Sequence, residues 1–97
     1  MKWFLRAADL GSADAMGYIG LMYDWGYALQ KSKTEAVRWY KKGAEAGSIF
    51  TMTNYADKLY CGNGVKQDKE EAKKWYQKAA EHGHERAKKN LRKSIDK

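Results

Sequence analysis

Apolar residues in this chain recur at helical spacing and never alternate in the way a half-buried strand requires. Residues 62–83, GNGVKQDKEEAKKWYQKAAEHG, show the pattern most clearly, with Ala72, Trp75, Tyr76, Ala79 and Ala80 forming one stripe. Asp68 stands at the N-cap position with Glu71 three residues on, the arrangement of a capping box, and Gly83 stands where a left-handed residue ends a helix. Residues 33–46 repeat the design: Ser32 and Glu35 open it, Ala36, Trp39, Tyr40, Gly43 and Ala44 form the stripe, and Gly47 closes it. Between these lie helices predicted at 13–25, with Ser12 as cap and Ala15, Met16, Ile19, Gly20 and Tyr23 inward, and at 49–61, with Ser48 as cap and Met52, Tyr55, Ala56 and Leu59 inward. A last helix is expected at about 85–95 through Ala87, Leu91 and Ile95, and residues 2–10 read as a further one through Trp3, Phe4, Ala7 and Ala8.

The helices come in a fixed period of 36 residues. Trp3, Trp39 and Trp75 fall in register, as do Ala8, Ala44 and Ala80, and Gly11, Gly47 and Gly83. A period in the range of about 20–50 residues marks a solenoid, in which each unit buries its apolar face by stacking on a neighbour. The expected fold is all-α, an α-solenoid of about six antiparallel helices in one domain over residues 1–97. Residues 1–11 are the second half of a truncated repeat, 12–47 and 48–83 are full repeats, and 84–97 form a C-terminal capping helix. The periodic tryptophans are assigned to the core between successive layers, and the small Ala8, Ala44 and Ala80 let paired helices approach. The N-terminal end has no polar cap helix, so that face is expected to be a cut edge or a surface for self-association.

Composition narrows the function. A chain of 97 residues with 43% apolar residues builds one thin core. No apolar run is long enough to span a membrane, and residues 1–18 lack the apolar segment of a signal peptide. The single cysteine, Cys61, fits a cytoplasmic, reducing setting, with a periplasmic or secreted one expected instead if the chain is a segment of a longer precursor. The net charge of +7 favours an acidic partner or a polyanion. Yet Arg38, Lys41, Lys42, Lys73, Lys74, Lys78, Lys88 and Lys89 lie mostly on the outer faces of second helices, among Glu35, Glu45, Glu70, Glu71 and Glu81. Mixed charges at such spacing are the ordinary solvated helix surface, so a protein partner is favoured over nucleic acid.

No catalytic or metal-binding set emerges, and no cofactor is expected. His82 and His84 flank a helix-ending glycine without sharing a face, and are read as solvent-facing loop residues. Cys61 has no histidine partner at an evident spacing, while Glu35, Asp68 and Glu71 have capping roles. The chain is read as a non-enzyme.

The period and its fixed positions resemble the Sel-one-like repeat (SLR) family, a relative of the tetratricopeptide repeat. One unit matches that family's pattern at Ala15, Ile19, Gly20, Tyr23, Gly26, Ala36, Trp39, Tyr40, Lys42, Ala44 and Gly47. It departs at Ala28, Leu29, Ser32, Glu35 and Gly43. The next matches at Ala56, Gly62, Gly64, Val65, Asp68, Ala72, Trp75, Tyr76, Lys78, Ala79, Ala80 and Gly83, and departs at Thr51, Tyr55, Leu59 and Glu71. The resemblance implies a non-enzymatic scaffold that holds proteins or peptides, as in eukaryotic quality control and in bacterial signalling, host-interaction and toxin-antagonist systems.

In such a solenoid the first helix of each pair lines the concave face. The residues there that packing does not claim are Tyr18, Leu21, Met22 and Trp25 on the first, and Asn54, Asp57, Lys58 and Cys61 on the second. Asn90, Lys93, Ser94 and Lys97 are their counterparts on the last helix. A groove aromatic at one end and polar to basic at the other suits a peptide with a hydrophobic anchor and acidic residues. The competing readings are that Tyr18, Leu21 and Trp25 pack against the N-terminal helix, that the basic array binds nucleic acid or another polyanion, and that the chain is a purely structural piece of a longer array.

Overall fold

The computed structural model describes residues 6, 11–26 and 32–95, with the backbone alone for residues 86 and 93–95. Among them all regular structure is helical: α1 (Ala13–Trp25), α2 (Lys33–Glu45), α3 (Ile49–Cys61), α4 (Lys69–Glu81) and α5 (Glu85–Ile95). Each helix packs on the next in chain order, which is the connectivity of a solenoid. The expected helix at 2–10, with Trp3, Phe4 and Ala8, lies outside the described residues apart from Arg6, which is helical and exposed. The uncapped N-terminal face, the departures at Ala28 and Leu29, and Lys97 lie outside them too.

Local chemistry sets the helix ends. Ser12 Oγ, Ser32 Oγ and Asp68 Oδ1 accept from the backbone N–H groups of Ala15, Glu35 and Glu71 at 3.3, 3.2 and 3.0 Å. The reciprocal half of each expected capping box does not form. The Ser32 N–H donates instead to the Tyr23 carbonyl at 2.9 Å, and the Asp68 N–H to the Leu59 carbonyl at 2.8 Å. Those two bonds tie each second helix to the end of the first across the loop. Glu35 is thereby released to Arg38 and Glu71 to the Trp75 indole. Ser48 is a further correction: its hydroxyl makes no cap bond and pairs with Thr51 Oγ1 at 2.7 Å. At the other ends, Gly47 and Gly83 take φ of 105° and 82°, which only glycine adopts without strain. There the Ser48 and His84 N–H groups reach back to the Gly43 and Ala79 carbonyls in the Schellman pattern.

The core runs through all four helix contacts, with Tyr40, Met52, Tyr55, Leu59 and Tyr76 as its large members. The tyrosine after each tryptophan, not the tryptophan, is the deep residue. Tyr40 and Tyr76 are buried, while Trp39 and Trp75 are half-buried with Lys42 and Lys78 over their rings at 4.7 and 5.5 Å. Trp39 packs on Ala15 and Ile19, and Trp75 meets the Tyr55 ring edge-on at 5.7 Å. Each tryptophan therefore seals its own helix pair and does not fill the gap between layers, because one residue along a helix turns the side chain by about 100°. Tyr40 lies on Gly20, where a Cβ would stand 2.6 Å from its ring.

Close backbone approach explains one departure from the family pattern. A Cβ on Gly43 would stand 2.8 Å from Thr51 Cγ2 and 3.1 Å from the Ala13 carbonyl oxygen. One period later the same two positions are Ala79 and Ala87. The first crossing puts the bulk on α3, and the second shares it.

Candidate groove between the first helices

α1 and α3 run side by side in parallel, since their facing pairs Gly17–Thr51, Tyr18–Phe50 and Asp24–Lys58 keep a nearly constant offset in sequence. They touch near their N-terminal ends. A Cβ on Gly17 would stand 2.1 Å from Thr51 Oγ1, and the Tyr18 and Phe50 rings lie 5.4 Å apart at an interplanar angle of 41°. Toward their C-terminal ends the two helices are separated by a cavity of about 290 Å³. Leu21 and Trp25 form one wall, Asn54, Asp57 and Cys61 the other, and Asn63 from the following loop closes one end. Tyr40 of α2 reaches the cavity from below.

The floor holds a buried ionic cluster. Asp24, at 7% exposure, accepts from Lys58 Nζ at 2.8 Å, from Tyr40 Oη at 3.1 Å and from Lys33 Nζ. Burial by itself raises the pKa of this carboxyl. The hydrogen bonds from Lys33 and Lys58, the charge of Lys58 and the Tyr40 hydroxyl outweigh it, and hold the group below the usual carboxylate value. Asp57 accepts from the Tyr76 hydroxyl and from Asn90 Nδ2, the latter at 2.9 Å, which links α3 to α4 and α5.

Of the residues expected on the concave face, Leu21, Trp25, Asn54, Asp57, Lys58 and Cys61 line this cavity. Tyr18 lies outside the lining, against Phe50 at the end where the two helices touch, and Met22 is half-buried outside the lining. Tyr18 is 45% and Trp25 67% exposed, so neither is packed away as a core residue. Lys58 is a correction. Its side chain is 10% exposed and bound to Asp24, because a lone ammonium on a packed helix face needs an acceptor; it is not an open basic contact. Lys93 and Ser94 have no described side chains. The sequence reading missed Asp24, Tyr40 and Asn63. The signal for Asp24 was a carboxylate beside the packing stripe of α1, next to a second helix with a buried tyrosine.

His84 also differs from expectation. It occupies the register of Ser12 and Ser48, is half-buried, and places Nδ1 2.7 Å from Thr53 Oγ1; His82 is exposed. Among the described residues, no group of three or more His, Cys, Asp or Glu side chains is placed to hold a metal, and no helix is long and apolar enough to cross a membrane.

Comparison with known proteins places this geometry. The Sel1 repeat family model matches residues 1–12, 13–48 and 50–84. The crystal structure of a Sel1 repeat protein from Oxalobacter formigenes superposes with a TM-score of 0.92 at 36% identity, covering 95% of this chain and 69% of that one. The c5321 protein, a protective antigen present in uropathogenic Escherichia coli strains and displaying an SLR fold, gives 0.85 at 40% identity over 90% of this chain and 19% of that one. Cysteine rich protein B of Helicobacter pylori gives 0.88 at 26% identity, over 93% and 68%. Among curated proteins nothing matches the chain.

Proposed function

We propose that this chain, which belongs to the Sel1 repeat family, is an adaptor that takes a segment of a partner protein in the groove between α1 and α3. Proteins of this family are generally protein-interaction scaffolds, typically non-enzymatic. The observation that carries the reading is the exposure of Trp25 on the wall of an open cavity whose floor is fixed by hydrogen bonds, with the exposed Tyr18 two turns back on the same helix. Aromatic side chains held in water on a rigid wall are the residues that dominate protein interfaces. A cavity of about 290 Å³ suits one large side chain of a partner. The acidic character expected of that partner rested on the net charge and on Lys58, Lys93 and Lys97 facing the groove, of which only the Lys58 side chain lies among the described residues. With Lys58 bound to Asp24 and Asp57 on the same wall, the chemistry favoured is an apolar anchor flanked by hydrogen-bonding groups.

A tagged pull-down from the native cell extract tests this, comparing the intact chain with Tyr18→Ala/Trp25→Ala and running nuclease treatment in parallel. A discrete protein captured by the first and lost by the folded double variant is the expected result. Capture unchanged in the variant, or abolished by nuclease, overturns the reading.

A further inference from the structure

The groove is a wedge. At one end α1 and α3 touch through Gly17 and Thr51, with no room for even a methyl group between them. Seven residues further along α1, the backbones have parted enough to leave the cavity, and a lysine side chain spans the gap from α3 to Asp24. That carboxylate is itself held from α2 by Lys33 and Tyr40. Among the described residues, Lys58 is the cation of α3 that reaches it. Both side chains of the pair are 10% exposed, so solvent does little to screen or replace the bond.

We propose that the Asp24–Lys58 pair is a brace that sets the width of the groove at its open end, which makes both residues positioning residues for the partner. The role as a partner site rests on the adaptor reading above; the mechanical claim does not. The closed end is fixed by backbone contact, and rotation about it moves the C-terminal ends of α1 and α3 apart. The brace opposes that motion, and it keeps Trp25 and Cys61 facing one another across the mouth.

Two native groups report the width. A bimane fluorophore on Cys61, the chain's one cysteine and an exposed one, is quenched when it meets an indole, and Trp25 lines the same cavity. Trp25→Phe supplies the unquenched reference. The expected result is a wild-type signal well below that reference, and recovery toward it in Lys58→Met. Lys58→Met leaves the buried Asp24 with Lys33 and Tyr40 alone, so the thermal midpoint falls while the mouth opens in the folded protein. Lys58→Arg restores quenching, and Lys33→Met, which removes a bond from α2 and not from α3, leaves it in place. Should Lys58→Met fold poorly, Asp24→Asn/Lys58→Met removes both charges and reads the same motion. Quenching in the folded variant equal to wild type overturns the brace, as does a wild-type protein as bright as Trp25→Phe. No partner takes part, so this failure and a failure of the adaptor reading are separate.

Discussion

The two full repeats build the same frame and place their carboxylates differently. In both, a capped second helix is tied back to the first, ends in a Schellman turn and buries a tyrosine. Tyr40 donates to Asp24, whereas Tyr76 donates to Asp57. On the common register Asp24 corresponds to Tyr60 and Asp57 to Leu21, so the acid has moved by one helical turn. A buried hydroxyl needs an acceptor, but the fold does not fix which turn of the first helix supplies it. In the first repeat the acid sits under the groove with two lysines, and Leu21 keeps the wall apolar. In the second the acid is on the wall itself. Repeat positions hold the fold, and the acceptor's freedom to move shapes the site.

The largest effect that separates the repeats comes from the acids. Asp24→Ala leaves Lys58 buried without its partner and costs about 3 kcal/mol, whereas Asp57→Ala, half-buried and bound to neutral donors, costs about 1 kcal/mol. Urea melts of the two variants measure the gap; equal losses break the comparison. Next comes the helix crossing. Gly43→Ala overpacks against Thr51 and costs about 2 kcal/mol, and Thr51→Ala in the same chain, which copies Ala79 and Ala87, recovers part of it. If the double variant is worse than the single, the two crossings are not equivalent solutions.

A smaller effect appears in the pH dependence. The folded-state pKa of Asp24 lies below its unfolded value, so the folded state binds fewer protons in that window. The resulting stability is fully present above the unfolded value of about 4 and is lost as the pH falls through the folded value. Thermal melts from pH 7 downward therefore show a steeper acid limb in wild type than in Asp24→Ala. Parallel limbs would remove Asp24 from the account. The smallest loss of stability belongs to Tyr18→Ala/Trp25→Ala. It gives up one ring pair and costs about 1 kcal/mol, while partner binding falls at least about tenfold. A stability loss as large as that of Asp24→Ala would make both aromatics core residues.

Helix positions were legible in the sequence because their signals are local: caps, stripes and terminal glycines lie within one element. The partners of polar groups were not. Lys58 reads as a solvent-facing base on its own helix, and only the packing of α3 beside α1 brings Asp24, 34 residues away, within reach. The same holds for His84, whose partner Thr53 is 31 residues off. Glu35 and Glu71 were read as completing capping boxes, a local inference that failed because the inter-helix ties satisfy the N–H groups first. The placing of the tryptophans between successive layers failed for another reason. Periodicity shows that both face inward but not which stands nearer the neighbour. Leu21, Trp25, Asn54, Asp57 and Cys61 line the cavity because they lie off the packing stripe, which is a property each helix shows by itself.

The central claim is that a partner meets the α1–α3 face and not the outer face of the second helices. A photo-crosslinking residue in place of Trp25, on that face, and another in place of the exposed Lys41 of α2 test it directly in the native extract. A discrete protein adduct from position 25 and none from position 41 is the expected result. Adducts from position 41 alone would put the interaction surface on the other side of the solenoid.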